Sequence, residues 1–148
     1  MFVLDQSDSY LWPVSIELPA NGSKKTFTFD AEFLRLPQEE VEELRQRHIN
    51  NVVKMRRVLA AVDGFGDDEA DGISEMGDET RELCDAVLCG WAKVADAKGG
   101  EVEFNDASKR QMYRVQGAAA AILNAWFDSL GQPSEKSAAK AGGFRAKN

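Results

Sequence analysis

Apolar and polar residues alternate in two early stretches of the chain. Val14, Ile16 and Leu18 fall on one side of the first, and Phe27, Phe29, Ala31 and Phe33 on one side of the second. A period of two marks a strand with one buried face. Between the stretches, Asn21-Gly22 tolerates the positive backbone angles of a tight turn. The pattern predicts a β-hairpin. A two-stranded ribbon is marginal by itself, so its apolar face must rest on helices. Residues 1–9 are expected to be a flexible N-terminus, and residues 10–131 a single domain.

The period then changes to three and four. Val41, Leu44, His48, Val52, Met55, Leu59 and Val62 form one stripe. Pro37 suits a helix start, and Gln38, Glu39 and Glu40 favour the positive end of the helix dipole. A helix of about 25 residues would reach roughly 38 Å. That exceeds the width of a small core, so part of it is expected to project or to meet a partner. The acidic, glycine-containing stretch at about 63–77 reads as a mobile connection. A second helix is expected over about 78–94, with Leu83, Val87, Leu88, Trp91 and Val94 on one face. A short strand follows over 101–104. Asn105 is placed to cap a helical stretch running to Val115. After Gly117, a last helix aligns Ala119, Ile122, Leu123, Trp126, Phe127 and Leu130, and Gly131 with Pro133 ends it. Residues 132–148 have four basic side chains, one acidic one and a single aromatic, which reads as a disordered basic tail. The fold class expected is α+β, mainly helical with a small antiparallel hairpin or sheet.

Charge narrows the range of functions. A formal net charge of -7 and a pI near 4.8 argue against a general nucleic-acid binder, which needs Lys and Arg against phosphates. No secretory signal opens the chain, and no stretch approaches the roughly twenty apolar residues that span a bilayer. Cys84 and Cys89 are five apart on a helical pattern and match neither a CxxC motif nor a zinc spacing. They are read as buried thiols in a reducing compartment.

Candidate chemistry is thin. His48 is the one histidine, with Arg45 and Arg47 beside it and no second ligand at metal spacing. No GxSxG, phosphate-cradling loop or HExxH occurs. Asp67, Glu69, Asp71 and Gly72 imitate positions one, three, five and six of a calcium-binding loop, but its closing position holds Asp78 rather than the usual glutamate. An acidic linker is the better reading. The expectation is a non-enzymatic protein with no catalytic, metal or cofactor site. Trp91, Trp126, Phe127 and Leu130 are the candidates for partner binding, because large aromatic residues near helix ends often anchor interfaces. The same residues suit a core equally well.

Gly90-Trp91, Val94, Asp96, Gly99-Gly100, Val102 and Phe104 follow one another in a set order and then enter a capped helix. With the helix before them, the alanine-rich last helix and the polar end Lys147-Asn148, this order resembles the tail assembly chaperones of long-tailed, lambda-like bacteriophages. The likeness runs from about Glu79 to Asn148. It implies a late phage protein of the host cytoplasm, absent from the mature virion. Such a protein binds the tape measure protein and keeps it soluble while the tail tube assembles around it. It also implies a longer frameshifted form that recruits the tail-tube protein, and Ala146-Lys147-Asn148 can be encoded over the slippery sequence A AAA AAC. In this setting Gly90, Asp96, Gly99, Gly100, Val102 and Phe104 make a structural turn motif, and self-association stays open. Two other readings compete: a structural head-tail or neck component of the particle, and a small calcium-binding adaptor.

Overall fold

The computed structural model describes residues 1–60 and 67–131, with the backbone alone for 67–75. The tail expected over 132–148 and the first part of the acidic connection lie outside the described residues. The elements run β1 (Ser9–Ala20), β2 (Ser23–Leu34), α1 (Gln38–Ala60), α2 (Asp67–Val87), β3 (Leu88–Ala92), α3 (Asp106–Tyr113) and α4 (Ala118–Ser129). This is an α+β fold with an antiparallel sheet in the order β1-β2-β3. The chain divides into two compact units, one of Met1–Arg35 with Leu88 onward, the other of Leu36–Val87.

The hairpin forms as the alternation predicts. Asn21 and Gly22 hold φ of 48° and 83°, the left-handed pair that joins two twisted strands through a two-residue turn. Ala20 therefore faces Ser23, and the register carries on to Ser9 opposite Leu34. Val14, Ile16, Phe29, Ala31 and Phe33 are buried on one face. Contacts to that sheet come from α4, which adds Ala118, Ile122, Leu123, Ala125, Trp126 and Phe127 to the core of the unit. Tyr10 Oη and Ser129 Oγ meet at 2.6 Å and tie the start of β1 to the end of α4.

Four expectations are revised. The flexible N-terminus ends earlier than residue 9. Ser9 already pairs with Leu34, and Arg35 N donates to Asp8 O at 2.9 Å. The connection expected to reach residue 77 is helical from Asp67. Gly72 and Gly77 each weaken a helix by about 1 kcal/mol, but Met76, Leu83, Cys84 and Val87 bury one face of it, and this packing outweighs the propensity. The second helix does not reach Val94. Leu88–Ala92 leaves it to become β3 and occupies the open edge of β2. A short apolar run does not by itself separate strand from helix, and the need of a two-stranded ribbon for a third strand decides here. The strand expected over 101–104 reduces to one bridge, Ala95 with Glu101.

In the second unit, α1 and α2 pack together. Glu40 N and Val41 N donate to Pro37 O at 3.0 and 3.1 Å, so the proline stands just ahead of α1 and its carbonyl opens the helix. Asn51 is buried. Its Nδ2 donates to Met76 O at 3.1 Å and to Thr80 Oγ1 at 3.2 Å, which satisfies a polar group away from water. Arg47 Nε donates to Glu79 Oε1 at 2.7 Å and its Nη2 reaches Glu82 at 3.3 Å.

Candidate partner-binding surface

The proposed turn motif forms one pinned loop. Trp91 extends from β3 opposite Ala31, and its Nε1 donates to Val102 O at 2.7 Å. Its ring meets Phe104 edge-on at 5.0 Å and Phe29 at 6.5 Å. The tryptophan thus clamps the returning segment against the sheet, in the edge-to-face geometry that aromatic quadrupoles favour. Between the two arms, Asp96 Oδ1 accepts from Lys98 N at 2.9 Å and Gly100 N at 3.0 Å. Asp96 N donates to Gly100 O at 2.9 Å, and Val102 N to Val94 O at 2.9 Å. Gly99 takes φ of 81°, a left-handed conformation that suits glycine. Asn105 then caps α3: its Oδ1 accepts from Ser108 N at 2.8 Å, while Asn105 N donates to Ser108 Oγ at 2.9 Å. The two bonds are reciprocal.

The four partner-binding candidates are not brought together as one surface. Trp126 and Phe127 are 1% and 4% exposed and pack on each other inside the first unit. A partner has no access to either ring in this fold. Trp91 is half-buried and already engaged with Val102, Phe104 and Phe29. Leu130, at the C-cap of α4, is the one of the four that is exposed.

Among the described residues, chemically active side chains do not converge. Cys84 is buried, and Cys89 is half-buried with its thiol 3.5 Å from Glu32 O. Burial, helped by the negative charge of Glu32 and opposed by a hydrogen bond with Ser9, raises the Cys89 thiol above its ordinary pKa. It is the reverse of an activated nucleophile. The calcium-loop imitation lies on α2, which is helical from Asp67 through Asp78. The backbone there is a helix rather than the loop that the imitation calls for. Among the described residues no group of three or more His, Cys, Asp or Glu could hold a metal, and no helix is long and apolar enough to cross a membrane.

The long helix α1, part of which was expected to project or to meet a partner, leaves apolar side chains exposed. Ile49, Val53, Met55 and Leu59 are exposed by 41, 41, 39 and 56%. Met55 and Leu59 belong to the expected stripe and are exposed. Ile49 and Val53 stand off that stripe, one turn apart. Arg45 precedes them and Arg57 follows in the same row of i, i+4 positions. The signal was legible: from Leu44 to Val62 the sequence holds five Lys or Arg and no acidic residue, within a chain of net charge -7. Toward α2, the same helix borders an open cleft of about 600 Å³ lined by Arg47, Asn51, Lys54, Arg57, Met76 and Glu79 among others. No protein-family model, no curated protein and no solved structure matches this chain.

Proposed function

We propose that the protein is a phage tail assembly chaperone. It binds the tape measure protein through uncovered apolar helix surface, keeps that long chain soluble in the infected host's cytoplasm, and makes or breaks no covalent bond. The observation that carries this reading is the apolar row on α1, which an isolated chain leaves in water. A holdase needs such a surface to cover apolar stripes of its client in helix-on-helix contact, together with net charge that keeps the complex dispersed. The resemblance of Gly90 to Phe104 supplies the identity of the client. A longer frameshifted form would add the contact with the tail-tube protein.

The test mixes the purified protein with the long helical polypeptide encoded by the neighbouring gene, under conditions where the latter precipitates. Turbidity should fall as the protein is added in stoichiometric amounts, and unchanged turbidity refutes the proposal. Mass spectrometry of purified particles should find the chain missing, whereas its presence at fixed copy number would make it a head-tail or neck component. Codons at Ala146 to Asn148 that interrupt A AAA AAC, with no other slippery site near the gene's end, would remove the longer form.

A further inference from the structure

We infer that the α1–α2 hairpin opens and recloses as a cooperative unit of its own while the sheet unit stays folded. The inference goes beyond the proposed function and does not rest on it, because the motion is one the chain makes without a partner.

The path of the chain permits such a motion. β2 ends at Leu34 and β3 begins at Leu88, and Phe33 stands opposite Leu88 in the ladder. Leu36–Val87 is thus inserted between two neighbouring strands. Parting α1 from α2 leaves the register of the sheet in place, since no ladder pair comes from the insert. The sheet unit also holds a dense core of its own, in which six of the 12 residues of α4 are buried together with Val14, Ile16, Phe29, Ala31 and Phe33.

The hairpin is fastened more lightly. Of the 23 residues of α1, Val41, Leu44 and Asn51 are the buried ones, and the last is polar. Beyond Asn51 the helix buries no side chain, and Val53, Met55 and Leu59 are exposed. The bonds from Asn51 Nδ2 to Met76 O and Thr80 Oγ1 are replaced by bonds to water at small net cost when the helices part. The contacts of Arg47 with Glu79 and Glu82 join partly or largely exposed side chains, where an ion pair adds little. Gly72 and Gly77 lower the helix propensity of α2. Few buried apolar side chains and readily hydrated polar contacts place a segment at the low end of local stability.

Native-state hydrogen exchange of the full chain, followed across low urea concentrations, tests this. The amides of Thr80 and Leu83 in α2 should exchange through an opening at least about tenfold more populated than the one that releases Phe29 and Ala31 in β2. Its dependence on urea should be smaller, because less surface becomes exposed. Thiol labelling gives a second reading. Cys84 is buried in α2, and Cys89→Ser leaves it as the single thiol of the chain, so its labelling under native conditions should follow the α2 amides. Leu44→Ala should raise the open population by about thirtyfold, the low end for truncating a core leucine, while Phe29 and Ala31 exchange as in the parent. A Leu44→Ala chain that loses its helices yet keeps those sheet amides protected supports the inference equally. One that loses both overturns it. So does a parent in which the α2 amides, Cys84 and the sheet amides share one opening population and one urea dependence, or in which the α2 amides are the slower.

Discussion

At the scale of single residues, Gly90 and Trp126 are the most informative positions. Gly90 stands opposite Glu32 across β2 and β3, and a Cβ there would lie 2.6 Å from Glu32 Oε1 and 3.3 Å from Glu32 Cβ. The same carboxylate accepts from Ser9 Oγ at 2.5 Å. Gly90→Ala should therefore swing Glu32 outward, loosen Ser9, and cost about 1 kcal/mol, at the low end of overpacking because the end of Glu32 is flexible. Adding Glu32→Ala should recover most of that loss in a double-mutant cycle followed by urea unfolding, and strict additivity would show that the two do not meet. Trp126 is governed by the opposite effect. Removing its ring leaves a void, and Trp126→Ala should destabilise the protein by about 3–5 kcal/mol. A loss below about 1 kcal/mol in the same measurement would mean that the ring is not part of the core. The sequence did not distinguish core from interface at this residue, because a tryptophan on a helical stripe serves either purpose with the same spacing. Burial alone separates them.

At the scale of elements, legibility followed periodicity. The hairpin, α1, α3 and α4 could be read because each repeats its apolar residues at one period and is punctuated by Asn21-Gly22, Pro37, Asn105 or Gly117. The extent of α2 and the existence of β3 could not, since both depend on partners distant in sequence: α1 in one case and the free edge of β2 in the other. The length of α1 pointed to a projecting part, but Ile49 and Val53 lie off its dominant stripe, so periodicity does not single them out. One edge of the sheet, β1, carries its own protection. The pair flanking a two-residue turn is hydrogen-bonded and pairs alternate from there, so even-numbered residues of β1 bond to β2 and odd-numbered ones face outward. Pro13 and Pro19 are both odd. Each withholds a donor from the edge at no cost to the hairpin, as edge strands commonly do to avoid pairing with other chains. Replacing both with threonine should leave the monomer folded yet introduce concentration-dependent association, read as a rising sedimentation coefficient. A double variant that stays monomeric at high concentration would show that the prolines do not guard the edge.

At the scale of the whole molecule, charge is divided rather than uniform, and acid should expose the division. The net charge approaches zero near pH 4.8, where weakened repulsion favours association. Folding of the α1–α2 pair should outlast that point. The hydrogen bond from Arg47 is the largest of the influences that lower the Glu79 pKa, ahead of the opposing effect of burial, and its positive charge adds to the lowering. A carboxyl whose folded pKa is depressed contributes stability that is fully present above its unfolded value, about 4.3, and is lost as pH falls through the folded value. The contribution lies within the roughly 0.2–1 kcal/mol of exposed pairs, because water screens both side chains. Solubility should thus reach its minimum near pH 4.8 while the helical signal persists, with helix loss following only at lower pH. Arg47→Gln should shift the acid midpoint of the helical signal upward without moving the solubility minimum by more than a small amount, since one cation among 18 is removed. If Arg47→Gln and the parent lose helix at the same pH, the pairing of α1 with α2 does not draw on this contact.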